Sequence, residues 1–123
     1  MHKEGSLAEK GADVNTQGGH YGNALQAVSC QGHQEIVKLL MEKGADVNAQ
    51  GGHYGTALQA ASQQGNQEIV KLLIEEGADV NAQGGKFGNA LEAASHYGQH
   101  EIVEMLQEMG AQFSASNAEV DKQ

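Results

Sequence analysis

Cysteine occurs once in this chain of 123 residues, proline and tryptophan not at all, and the aromatic complement is three tyrosines and two phenylalanines. A lone Cys30 excludes an internal disulfide and a multi-thiolate metal site, and it fits a reducing compartment. Basic residues are also scarce: 7 Lys and Arg stand against 16 Asp and Glu, a formal net charge of −9. That balance weighs against nucleic acid, which proteins bind by displacing counterions from phosphates with Lys and Arg, and equally against an anionic membrane surface. No stretch approaches the roughly 20 apolar residues that span a bilayer. Met1 to Lys10 carries no apolar core of a signal peptide. The expectation is one small domain, soluble and intracellular, cytoplasmic by default.

Glycine, by contrast, is abundant at 17 residues, about twice the usual share of roughly 7%. Such a share can signal a disordered chain, but these glycines fall in register. Gly11, Gly44, Gly77 and Gly110 lie 33 apart, as do Gly18, Gly51 and Gly84, and Gly32, Gly65 and Gly98. The columns of Gly19 and Gly22 keep the same period. The chain therefore divides into a partial unit 1–18, full units 19–51, 52–84 and 85–117, and a polar tail 118–123, with the first two full units identical at 27 of 33 positions. A strict period of this size means a stacked array in which each unit buries its apolar face against the next.

Within each unit the pattern predicts two helices. The first begins at Asn23, Thr56 or Asn89, whose side-chain oxygen can accept from a free backbone N–H, and ends at Gly32, Gly65 or Gly98, where a positive φ is needed. Leu25 and Ala27, with their equivalents Leu58, Ala60, Leu91 and Ala93, form its apolar stripe. The second runs over Glu35 to Lys43 and its counterparts, with Ile36, Val37, Leu39 and Leu40 giving a broad buried face and Glu35 favoured by the helix dipole. Between helix pairs, G-A-D-V-N-A-Q-G-G-H-Y-G predicts a protruding loop or hairpin.

The segments G-H-Q-E-I-V-K-L-L-M-E-K-G-A-D-V-N-A and G-N-Q-E-I-V-K-L-L-I-E-E-G-A-D-V-N-A resemble ankyrin repeats, whose period is 33 residues. The resemblance covers about Leu7 to Phe113 and implies an all-α solenoid of helix-turn-helix units joined by hairpin loops. The G-G-x-Y-G-N-A-L-Q-A-A variant is similar to ankyrin arrays in large fungal proteins that carry an NTPase module, a module without counterpart here. One departure concerns the family's T-P-L-H tetrapeptide, replaced by Asn23-Ala24-Leu25-Gln26, Thr56-Ala57-Leu58-Gln59 and Asn89-Ala90-Leu91-Glu92. Ala and Asn preserve the helix and its cap, while the proline's preset φ and the histidine's hydrogen bonds are expected to be lost. The ends depart too. Met1 to Gly11 aligns with a second helix but puts Lys3, Glu4 and Ser6 where Ile36, Val37 and Leu39 stand, so the faces of Leu25, Val28 and Leu39 are expected to stay partly wet. Weak end-to-end self-association follows as an expectation. Glu104, Gln107 and the polar residues after Phe113 read as a terminal cap and tail.

The resemblance implies a non-catalytic module that binds a protein partner through hairpin tips and the exposed edge of the first helices. Carried over residue by residue, the tip positions are Gln17, His20 and Tyr21; Gln50, His53 and Tyr54; and Gln83, Lys86 and Phe87. The edge positions are Cys30 and Gln31, Gln63 and Gln64, and His96 and Tyr97. The edge columns are where nearly identical units diverge, which fits a binding surface and fits equally variation wherever packing allows. Other readings are a structural or self-assembly segment of a larger protein, and a consensus-like scaffold without an evolved partner. The column Tyr21, Tyr54 and Phe87 can anchor a partner or cover the glycine-rich hairpin, and covering is the expectation in a chain so poor in rings.

Chemistry has little support. His20 and His53 share a column, but Lys86 interrupts it and no third ligand is evident, so no metal or other cofactor is expected; histidines on an acidic surface rather tune charge near pH 6. Cys30 and His33 lack an orienting carboxylate and an oxyanion-hole loop. The hairpin glycines follow no strand and precede no Lys-Ser or Lys-Thr, unlike a phosphate loop. Glu35, Glu42, Glu68, Glu75, Glu101 and Glu108 recur at helical spacing and mark a solvated outer face. Asn48 and Asn81 resemble positions hydroxylated in some ankyrin repeats, though hydrogen bonding in the loop is their expected role.

Overall fold

The computed structural model describes residues 13–113; the partial unit's first twelve residues and the tail from residue 114, on which several of the expectations above fall, lie outside them. Six helices follow in pairs: α1 (Ala24–Gln31) and α2 (Gln34–Glu42), α3 (Ala57–Gln64) and α4 (Gln67–Glu75), α5 (Ala90–His96) and α6 (His100–Glu108). The first helices start where the capping residues predict. Asn23, Thr56 and Asn89 accept from the backbone N–H of Gln26, Gln59 and Glu92 at 2.8, 3.1 and 2.8 Å. Gly32 and Gly65 end α1 and α3 in the left-handed region. Among the second helices only α4 has a side-chain cap, Asn66 accepting from Ile69 N–H at 3.0 Å.

Units stack through like elements: α1 packs on α3 and α3 on α5, while α2, α4 and α6 form a second, sparser row. The first helices are rich in alanine, and small side chains let them approach closely while Leu25, Leu58 and Leu91 fill the space between rows. The second helices contribute Val37, Val70, Ile69, Leu73, Ile102 and Leu106 to the same core. Position in the stack then decides burial. Ile69 is fully buried in the central unit, whereas its counterpart Ile36 is 43% exposed and Leu39 is 49% exposed. Leu25 departs from the expected wet face: it is 1% exposed, because it belongs to the core shared with α3. Val28 is half-buried.

The connections are hairpins closed by antiparallel bridges Gly18–Gly22, Gly51–Gly55 and Gly84–Gly88. A ladder of asparagine amides ties each loop to the next. Asn48 donates to Gly77 O at 3.1 Å and accepts from Asp79 N–H at 2.7 Å; Asn15 and Asn81 repeat the pair toward Gly44 and Asp46, and toward Gly110 and Gln112.

The replacement of T-P-L-H turns out differently from expectation. Gln26 Nε2 donates to Gly55 O at 2.7 Å and to Ala49 O at 3.3 Å, and Gln59 Nε2 donates to Gly84 O at 2.7 Å. Glutamine at the histidine position therefore makes hydrogen bonds to the following loop and hairpin, since its amide supplies a donor of similar reach.

Candidate functional site

The hairpins carry their tip residues in two parallel columns. Backbone hydrogen bonds set the spacing: His53 N–H donates to His20 O at 2.7 Å and Lys86 N–H donates to His53 O at 3.1 Å. On that ladder the His20 and His53 rings stack with centroids 4.7 Å apart and planes 16° from parallel. Tyr21 and Tyr54 stack beside them at 6.0 Å and 18°. Each imidazole meets a tyrosine edge to face, as in the T-shaped His20–Tyr54 and His53–Tyr54 contacts, an arrangement aromatic quadrupoles favour. In the third unit Lys86 and Phe87 continue the columns, with Lys86 Nζ 5.5 Å from the Phe87 ring centre.

The edges of the first helices meet these columns. Phe87 packs against His96 at 4.6 Å and Tyr97 at 5.4 Å. Cys30, half-buried, hydrogen-bonds with Tyr54, and that bond together with burial pushes the Tyr54 phenol up to about 12. Tyr21 and Tyr97 are 37% and 47% exposed, while Tyr54 and Phe87 are half-buried. Gln31, Gln64, His96, His20 and Lys86 are exposed, and His53 is half-buried. Gln17, Gln50 and Gln83 stand exposed at the hairpin bases, one residue before Gly18, Gly51 and Gly84. The backbone carbonyl of Gln63, a half-buried residue, accepts from Gln99 Nε2 at 3.0 Å.

One contributor went unread in the sequence. Phe113 helps line a cavity of about 370 Å³ with Lys86, Phe87, Glu92, Ser95 and His96. Its signal was available, because Phe113 occupies the column of Val47 and Val80 and puts a ring where the other units have a small aliphatic side chain.

Among the described residues no group of three His, Cys, Asp or Glu side chains could hold a metal ion. The outer face carries the recurrent glutamates, with exposed i,i+3 pairs Lys38–Glu35 at 3.8 Å and Lys71–Glu68 at 3.9 Å; such pairs contribute little to stability.

Tyr54 supplies a pH test of how tightly the ring layer is held. Its phenol titrates higher in the fold than its ordinary value of 10.0, so its contribution to stability is fully present below about pH 10 and is lost as pH rises through about 12. Tyr54→Phe should keep the fold, as Phe87 does in the third unit, and should flatten part of the alkaline fall in melting temperature. Identical alkaline curves for both proteins would show that Tyr54 is not held in this way.

Paired helices stacked unit on unit, with hairpins projecting along one edge, define a helical repeat solenoid. A family model for ankyrin repeats matches three copies over residues 5–84 and 52–117, and the chain belongs to that family. A search of curated proteins returned no match. Ankyrin repeats are generally protein–protein interaction modules and generally non-catalytic. None of the described helices is long and apolar enough to cross a membrane.

Proposed function

We propose that this chain binds a protein partner through its hairpin tips and the exposed edges of α1, α3 and α5, without catalysing a reaction. The observation that supports this reading most directly is the paired ring columns, in which His20, His53, Tyr21 and Tyr54 are held by one another and Phe87 by His96 and Tyr97 at one margin of the stack. Rigid, partly exposed rings offer large contact area with little conformational entropy left to lose. The edge residues Gln31, Gln64 and Tyr97 extend the same surface across the first helices.

Affinity capture from the source cell tests the assignment. Combined replacement of His20, Gln31, His53, Gln64, Lys86 and Tyr97 by Ser should weaken capture by about tenfold or more, roughly the loss of one good anchor, with helicity unchanged. Charge reversal at Glu42 and Glu75 on the outer face should leave capture intact. Equal loss from the outer-face changes would reject the assignment.

A further inference from the structure

We propose that the outer face of the second helices carries a binding surface of its own, centred on the groove between α4 and α6, and that it takes a cationic amphipathic segment of a protein. The surface lies apart from the hairpin tips, so this inference goes beyond the partner-binding reading and does not depend on it.

Charge selects the sign of the occupant. With their C-terminal caps, the second helices hold eight glutamates against three lysines, and the excess grows along the stack: two glutamates and two lysines at α2, three and one at α4, three and none at α6. Glu104 stands where α2 and α4 have Lys38 and Lys71. The helix ends add to this field. Glu42, Glu75 and Glu108 close the three helices, and their last turns hold no basic residue, although the macrodipole gives a helix C-terminus a negative character that favours a cation. Lys43 follows α2, whereas Glu76 follows α4 and Met109 follows α6. A Lys or Arg of the partner, set at the ends of α4 and α6, would meet a carboxylate and a negative helix end together.

The groove selects the other half of the occupant's character. Between α4 and α6 lies a cavity of about 220 Å³ lined by the apolar side chains of Ile74, Met105 and Met109 and by Lys71, Glu75 and Glu108. Met109 is 54% exposed, and methionine's unbranched, polarisable chain adapts to varied apolar partners. Between α2 and α4 a second cavity, of about 290 Å³, repeats the theme with Met41 and Leu72 beside Lys38, Glu42 and Glu76. Lys38 and Lys71 lie 3.8 and 3.9 Å from Glu35 and Glu68, so the cations within the grooves are shared with carboxylates of their own helices. Apolar surface among glutamates suits a segment with one apolar and one basic helical face. Helices packed in a row lie roughly 8 to 10 Å apart, and a helical segment of about 14 residues, roughly 21 Å long, spans both cavities. A second copy of this chain would bring glutamates to glutamates, and the same charge repels nucleic acid.

The test titrates the full chain calorimetrically with three capped peptides: leucine and lysine in amphipathic helical order over about 14 residues, the same composition in scrambled order, and an oligolysine of equal charge. The amphipathic peptide should bind about tenfold tighter than either control, the gain from seating an apolar side chain. Glu75→Gln with Glu108→Gln should weaken it by about tenfold. Met109→Ser should weaken the amphipathic peptide severalfold and leave the oligolysine unchanged. These positions are exposed, and circular dichroism should show intact helices. Removing two charges at the opposite helix ends, Glu35→Gln with Glu101→Gln, should change the affinity far less. No binding of the amphipathic peptide, equal binding of either control, no effect of Met109→Ser, or equal weakening by the two pairs of Glu→Gln changes would each overturn the proposal. So would a dimer in sedimentation that Met109→Ser dissolves, which would assign the groove to a second copy. Failure here leaves the tip surface standing, and failure of capture at the tips leaves the groove standing, because the two tests alter different residues.

Discussion

Gln59→Glu should destabilise the middle of the stack by about 3 kcal/mol or more at neutral pH, the scale of leaving a buried charge uncompensated, and by much less near pH 4. Gln59 is 3% exposed, and its amide nitrogen donates to Gly84 O at 2.7 Å. The substitution keeps the shape but turns that donor into a carboxylate oxygen facing a carbonyl oxygen. The fold would therefore favour the neutral acid, and the pKa of the introduced group would rise above its ordinary value of about 4.3. A raised folded-state pKa costs nothing below the unfolded value, and the loss grows as pH climbs through and beyond it. Urea denaturation at several pH values reads this directly. Gln59→Met, which loses the donor without adding a charge, should show a smaller loss that does not vary with pH. Matching pH profiles for the two variants would mean that the amide does not tie α3 to the following hairpin. In the native chain Gln26 and Gln59 both face a following hairpin.

Gly85→Ala should cost about 3 kcal/mol or more, and Gly77→Ala only about 1 to 2 kcal/mol, the usual penalty of placing a Cβ in the left-handed region. Both glycines have positive φ, +69° and +96°. A Cβ on Gly77 would meet nothing within 4 Å, whereas one on Gly85 would lie 2.5 Å from Tyr54 O and 2.6 Å from Tyr54 C. That difference is the close approach of one hairpin to the next, on which the tip ladder depends. Gly85→Ala should accordingly also disturb the Phe87 ring contacts, visible as shifts of the His96 and Tyr97 ring signals in NMR spectra. Equal destabilisation by the two substitutions would indicate that the hairpins are not packed backbone to backbone.

Much of this architecture is legible along the chain because it is local or repeated. Asn23, Thr56 and Asn89 cap helices through bonds spanning three residues, and a capping oxygen followed by an alanine-rich stripe is readable without knowing any neighbour. The second helices show themselves in the same way, with ends displaced by one residue, Gln34–Glu42 in place of the predicted Glu35 to Lys43. The replacement of histidine by glutamine was harder to read. From sequence it looks like a lost hydrogen bond, and only the position of Gly55 and Gly84 in the next hairpin reveals that an amide reaches as well. Phe113 is similar, since its ring gains meaning only from the open space beside Lys86 and Phe87.

The sequence by itself determined the period, the six helices among the described residues, the family and the register of the hairpins, because near-identical units with strong local signals can stack in essentially one way. Tertiary structure alone decided which side chains meet and which are left in water. Ile36 and Ile69 stand in the same segment, Q-E-I-V-K-L-L, yet one is 43% exposed and the other fully buried. His20 and His53 stack although 33 residues separate them. Burial and ring contacts depend on what the stack sets against a side chain, and a residue's own surroundings along the chain carry no record of that.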